Sequence, residues 1–205
     1  SYQNFAAALR AGSLAAPGAR GALLGLIEDK AQPALVRASA IARLGRMLTP
    51  VTIDATAREL NDSDALVRLA AVEALANAEP ATRQRYLSRM LGDPVRAVRT
   101  EAARALAGPA EPLLSEAERA PFTRTLAEYV AVQTYNADRP EGRMNLGNLY
   151  VQRGDAGGAI AEYRKAAALD PTFVPAYANL ADLYRARGAD SEAEAVLREG
   201  LVRNP

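Results

Sequence analysis

Residues able to do chemistry are few in this chain, and the most ordered group of them is built of amides. Asn145, Asn148 and Gln152 follow one another at intervals of three and four positions, and Asn179, Asp182 and Arg185 at intervals of three. On helices, such spacing sets each trio along one side. A carboxamide carries donors and an acceptor together, so it can bond the backbone of an extended segment with little demand on that segment's side chains. The chemistry implied is non-covalent capture of a partner protein or peptide. The competing reading is that all six are ordinary solvated positions, in a structural spacer without a ligand groove.

Covalent chemistry has little to work with. The absence of Cys and His removes disulfides, thiolate nucleophiles, thiolate and imidazole metal sites, covalent haem attachment and the commonest general base. Gly157-Gly158 falls within helical periodicity and cradles no phosphate, while Glu192, Glu194 and Glu199 read as a solvated face. We expect a non-enzymatic chain with no cofactor or metal of its own. A glutamate acid–base pair drawn from scattered positions is the one catalytic alternative.

The elements that must position these residues are helical by composition: the chain is 49% hydrophobic but only 5% aromatic, an Ala, Leu and Val content suited to close helix packing. Positions 1–112 carry 14 basic and 11 acidic side chains, and the remainder 11 and 13, so neither part resembles a polyanion-binding module. A cluster of Arg83, Arg85, Arg89, Arg96, Arg99 and Arg104 raises nucleic-acid backbone as a rival partner; interspersed acids and the lack of stacking aromatics argue against it. No stretch approaches the roughly 20 apolar residues of a membrane span. The start, SYQNFAAALRAG, has neither an initiator Met nor a signal-peptide pattern, and reads as an excised piece of a longer protein.

Two internal periods organise the chain. In the shorter, Val36, Val67 and Val98 align, followed in register by Arg37, Arg68 and Arg99, by Ala40, Ala71 and Ala102, and by Leu44, Leu75 and Leu106. Their apolar spacing predicts helices that show one face to their neighbours, each preceded by a weaker helix near 19–29, 51–60 and 82–91. Thr49-Pro50, Asn61-Asp62-Ser63-Asp64 and Gly92-Asp93-Pro94 supply cap and turn chemistry between them. The unit resembles the HEAT-like repeat family, in which a turn Asp stands six positions before a helix Arg. Asp62 with Arg68 and Asp93 with Arg99 fit; Ala31 before Arg37 does not, which puts the first link of the implied Asp–Arg ladder in doubt.

The second period is slightly longer. It pairs Asn145 with Asn179, Leu146 with Leu180, Leu149 with Leu183, Tyr150 with Tyr184, Gly154 with Gly188, Ala159 with Ala193 and Pro171 with Pro205. This pattern resembles the tetratricopeptide repeat, whose first helices line a concave surface. Arg143 stands where Tyr177 keeps the usual aromatic, Ala181 answers Gly147 and Gly200 answers Ala166, so looser packing is expected of the second copy. Ala127-Glu128-Tyr129 anticipates Ala161-Glu162-Tyr163 by one full period, with Ser115 and Glu118 at capping-box spacing upstream.

The expected fold is therefore all-α, a right-handed α-α superhelix: HEAT-like helix pairs over 1–108, a connecting helix and half-repeat over 109–138, and two tetratricopeptide units over 139–205, all sharing one core. The order of the two repeat types, with DKAQPALVRASAIARL early and YNADRPEGRMNLGNLY later, resembles the C-terminal region of bacterial multihaem c-type cytochromes that carry such repeats. That resemblance implies a periplasmic location and a role in docking an electron-transfer partner. A carboxylate clamp for a partner's C-terminus looks incomplete, because Met144 holds the cation's place and Arg185 is the only nearby cation. Val196, Leu197 and Leu201, expected to be partly uncovered, suggest a homodimer through the C-terminal repeat.

Overall fold

Polar residues between the periodic segments fix where each helix begins. The Thr49 hydroxyl accepts from the Thr52 N–H at 3.3 Å while the Thr49 N–H donates to the Thr52 hydroxyl at 2.8 Å, a reciprocal cap with Pro50 opening the helix. Asp64 accepts from the Leu66 N–H at 2.8 Å, Asp155 from the Gly158 N–H at 2.8 Å, and Glu118 from the Ser115 N–H at 2.8 Å. Each gives a partner to a donor that the helix start would otherwise leave unbonded.

The computed structural model describes residues 2–14 and 16–203, and among them it contains no strand. Twelve α-helices follow in order: α1 Tyr2–Ser13, α2 Ala19–Glu28, α3 Ala34–Leu44, α4 Pro50–Glu59, α5 Ala65–Leu75, α6 Pro80–Leu87, α7 Arg96–Leu106, α8 Glu116–Tyr135, α9 Pro140–Gln152, α10 Ala156–Leu169, α11 Val174–Ala186 and α12 Asp190–Arg203. Short 3-10 turns occupy Ser88–Gly92 and Glu111–Leu113. The protein is an all-α helical repeat. It divides into two compact units, 1–106 with 110–126, and 107–109 with 127–205.

In the first unit the shorter period is the core itself: the Val, Ala and Leu positions of α3, α5 and α7 are all buried. An arginine ladder runs along the same helices, but it connects differently from the expected pairing within one turn. Arg37 donates to the Asp62 carboxylate and Arg68 to that of Asp93 at 2.8 and 3.1 Å, each acceptor lying in the following turn of the array. The arginine's own turn gives carbonyls: that of Gln32 to Arg37, those of Asp62 and Ser63 to Arg68, and those of Asp93 and Pro94 to Arg99. Any residue can supply a carbonyl, so Ala31 does not break the first link. The planar guanidinium spans the junction, one edge on its own turn and the other on the neighbour's carboxylate.

These contacts set the acid response. The hydrogen bond from Arg37 holds the Asp62 carboxyl far below the usual carboxylate range against the opposing effect of burial. Burial opposes ionisation of Asp93 too, yet Arg68 and the Val95 N–H bring it below its ordinary value. Glu118 lies at about 2, chiefly through its hydrogen bond with Ser88. Depressed carboxyls stabilise the fold above their unfolded values near ~4 and lose that contribution as pH falls through the folded ones. The melting temperature is therefore expected to decline progressively below about pH 4, and the Asp93→Asn variant, less stable at neutral pH, to show a shallower decline by circular dichroism.

The second unit pairs α9 with α10 and α11 with α12 around Ala159, Tyr163, Ala166, Tyr177, Leu180 and Val196. Its departures from strict repetition compensate one another. A Cβ at Gly147 would lie 2.5 Å from the Tyr163 ring; one period on, Ala181 is matched with Leu197 and no ring. Conversely, a Cβ at Gly200 would meet the Tyr177 ring at 3.0 Å, where the first copy has Ala166 with Arg143. Each ring has its glycine, and Ala181 is fully buried. Arg143 even keeps the tyrosine's hydrogen bond: its Nε donates to the Ala137 carbonyl at 2.9 Å, as the Tyr177 hydroxyl does to that of Pro171 at 3.1 Å. Val196, expected to be partly uncovered, lies in the core, whereas Leu197 and Leu201 are exposed.

Gly147→Ala is expected to lower stability by about 1–3 kcal/mol, the range for overpacking. In a Tyr163→Leu background the same change should be neutral or stabilising, because the alanine then acts only through its higher helix propensity. Urea unfolding of the four proteins of this cycle measures the coupling.

Candidate functional site

The second unit contains a groove of about 250 Å³ lined by Asn148 and Val151 of α9, Tyr163 of α10, and Asn179, Asp182, Leu183 and Ala186 of α11. Helical spacing sets Asn148 and Val151 one turn apart, and does the same for Asn179, Asp182, Leu183 and Ala186. The second helix of the repeat supplies the floor. There the Tyr163 hydroxyl donates to the Asn148 carboxamide oxygen at 2.7 Å, and the same oxygen accepts from the Asn179 amide at 3.2 Å. Burial pushes the Tyr163 phenol above its ordinary value, only partly offset by its hydrogen bond with Asn179, so it stays a neutral donor at physiological pH.

This network spends the oxygen of Asn148 and an N–H of Asn179. Among the described residues, the Asn148 amide nitrogen and the Asn179 carboxamide oxygen enter no hydrogen bond within the chain, so the groove presents one amide donor and one amide acceptor. Asp182 exposes its carboxylate at the edge, joined by Arg185 one turn on in a largely exposed ion pair.

Of the six residues singled out from sequence, the structure brings Asn148, Asn179 and Asp182 together along the groove, with Arg185 attached through Asp182. Asn145 instead donates to Gln133 of α8 at 3.0 Å. Gln152 turns its amide oxygen into a buried position without a hydrogen-bond partner. Sequence reasoning missed Tyr163, Val151, Leu183 and Ala186. Tyr163 had a signal, a tyrosine on the second helix of the repeat, but that position reads as core and carries no hint that its hydroxyl reaches the neighbouring helix.

The first unit holds a larger depression, about 550 Å³, among Glu28, Lys30, Arg37, Arg58, Glu59 and Asp62. Its charges are committed to one another: Lys30 bonds Glu59 at 2.7 Å and Asp62 at 3.3 Å, Arg37 bonds Asp62, and Arg58 lies 3.7 Å from Glu28. The basic cluster is likewise engaged. Arg83 donates to the Ala105 carbonyl, Arg89 to that of Ala57, and Arg104 to Glu101, while Arg85 lies over the Tyr86 ring. Among the described residues no group of three or more acidic side chains is placed to hold a metal, and no helix is long and apolar enough to cross a membrane.

The groove lies within a recognised pattern. Residues 147–188 match a family model described as TPR repeat. Residues 176–205 match a second, described as tetratricopeptide repeat. Residues 147–205 are thus similar to tetratricopeptide repeats. Repeats of this kind generally mediate protein–protein interaction. No curated protein matches the sequence.

Because Asn148 is the acceptor for the largely buried Tyr163 hydroxyl, Asn148→Ala is expected to cost about 1–2 kcal/mol and Asn179→Ala about half that. Adding Tyr163→Phe should recover most of the Asn148→Ala loss, since it removes the stranded donor; thermal melts of the single and double variants test this.

Proposed function

We propose that the second unit binds an extended segment of a partner protein in the groove between α9 and α11, and that the chain acts as an interaction scaffold, not as an enzyme. The observation that carries this reading is the unused amide pair of Asn148 and Asn179. The two side chains are held by each other and by Tyr163, so their free donor and acceptor are oriented before a ligand arrives, which lowers the ordering cost of binding. A backbone N–H and C=O of an extended chain are the natural complement.

The arginine ladder of the first unit supports the HEAT-like reading of positions 1–108. The order of the two repeat types supports a place in a periplasmic multihaem cytochrome, as an assembly module beside the haem-bearing part. Without Cys or His, this chain would contribute docking surface there and no covalent haem attachment.

The test uses the full chain, immobilised, against a multivalent phage library of random dodecapeptides. Peptides are expected to be selected whose retention falls at least about fivefold, the loss of roughly one hydrogen bond, on Asn179→Ala, at a temperature where the variant, lowered in melting temperature by about a few degrees, is still fully folded. Equal retention by the variant, or no enrichment at all, would overturn the proposal.

A further inference from the structure

The chemistry of the groove restricts what kind of segment fits it, and this step rests on the peptide-binding reading above. At about 250 Å³, the groove falls below the ~300–1,000 Å³ typical of sites that enclose a drug-sized ligand. It has room for one medium-sized side chain and the backbone that carries it. Its apolar lining is Val151, Leu183 and Ala186, all at least partly open to solvent. Its polar lining is the two asparagines, the Tyr163 hydroxyl and one charged group, Asp182, whose side chain is 68% exposed.

No lining residue is basic. Arg185 is already paired with Asp182, while Arg143 and Lys165 are paired with Glu162, Arg164 with Glu199 and Arg198 with Glu194. A carboxylate in the groove would therefore meet the Asp182 carboxylate before any cation, because Asp182 lines the groove and Arg185 stands outside its lining. A ligand cation would instead share Asp182 with Arg185, at little cost, because an exposed pair of this kind is weak.

We infer that the groove selects an internal, extended segment with one leucine-, isoleucine-, methionine- or phenylalanine-type side chain seated on Val151, Leu183 and Ala186 and a neighbouring lysine or arginine at Asp182, and that it discriminates against acidic segments and chain-terminal carboxylates. The asparagines hold the backbone, the apolar side chain fills the groove, and Asp182 sets the charge preference.

The composition of selected dodecapeptides tests this. Lys and Arg within two positions of a large apolar residue are expected to be enriched about threefold over the unselected library, the scale of one exposed charge pair. Selection on Asp182→Lys, a substitution at an exposed side chain whose folding is checked by its melting curve, should shift the enrichment to Asp and Glu. A selected peptide resynthesised with an amidated C-terminus should bind at least as tightly as its free-acid form by fluorescence polarisation. Enrichment of acidic residues, absence of any charge bias, an unchanged bias on Asp182→Lys, or preference for the free acid would overturn the inference and leave peptide capture standing. Failure to select any peptide would remove both.

Discussion

A single helix pair cannot bury its apolar face alone, and whatever closes that face must also satisfy the polar groups at its edge. Both units meet this constraint with a polar side chain that reaches from one repeat into the next. In the first it is Arg37 to Asp62 and Arg68 to Asp93, across a junction whose apolar side is the Val–Ala–Leu register of α3, α5 and α7. In the second it is Asn179 to Asn148, above the core shared by Tyr163, Ala176 and Leu180. The first tie is ionic and mostly buried, so breaking it strands a charge. The second is neutral and partly open, so its unused donor and acceptor face solvent at no such cost.

That difference separates a structural junction from the proposed binding surface. In the ladder, Asp62 accepts from Arg37, from Lys30 and from the Asp64 N–H, and nothing is left for a ligand. The larger depression beside it is lined by the same charges, with Lys30 and Arg37 on Glu59 and Asp62. The groove in the second unit is smaller, but a carboxamide with one end anchored still has the other end to offer. The same hydrogen bonds that align the two asparagines tie α9 to α10 and α11, so stability and the proposed capture share residues. Asn148 belongs more to the fold and Asn179 more to the groove.

Much of the fold was legible because it is written in local patterns. The helical spacing within each repeat, the Thr49-Pro50 cap and the Ser115–Glu118 pair depend on residues within a few positions of each other, and they stand where their spacing put them. What was not legible depends on packing between helices. The ladder's carboxylate comes from the next turn of the array, Asp62 for Arg37 and Asp93 for Arg68, which a motif confined to one turn cannot reveal. The exchange of Tyr163 with Gly147 for Tyr177 with Gly200 looks like decay of the repeat in one dimension and is steric compensation in three. Arg143 in place of an aromatic looked like a loss, yet its Nε fills the hydrogen-bonding place of the tyrosine hydroxyl. The candidate site was half legible for the same reason: Asn148, Asn179 and Asp182 follow from helix periodicity, whereas Tyr163 joins them only through the crossing of α9 and α10, and Asn145 is drawn away by Gln133 of α8.

The size of the groove also limits what a single engagement can achieve. Burying one leucine-sized side chain contributes about 1.5–3 kcal/mol, and two backbone hydrogen bonds to the asparagines about 0.5–1.5 kcal/mol each. An exposed pair at Asp182 adds at most about 1 kcal/mol. Ordering the segment and confining it to the site cost a comparable amount, so an isolated contact is no stronger than the millimolar scale that corresponds to about 4 kcal/mol. Binding of that strength is transient, and it becomes durable only when the segment is held nearby by a second contact, which raises the apparent affinity by about 10²–10⁴ without any new interaction in the groove. The proposed groove is therefore suited to a partner that is already tethered or that offers several copies of the segment, the groove supplying selectivity and the second contact strength.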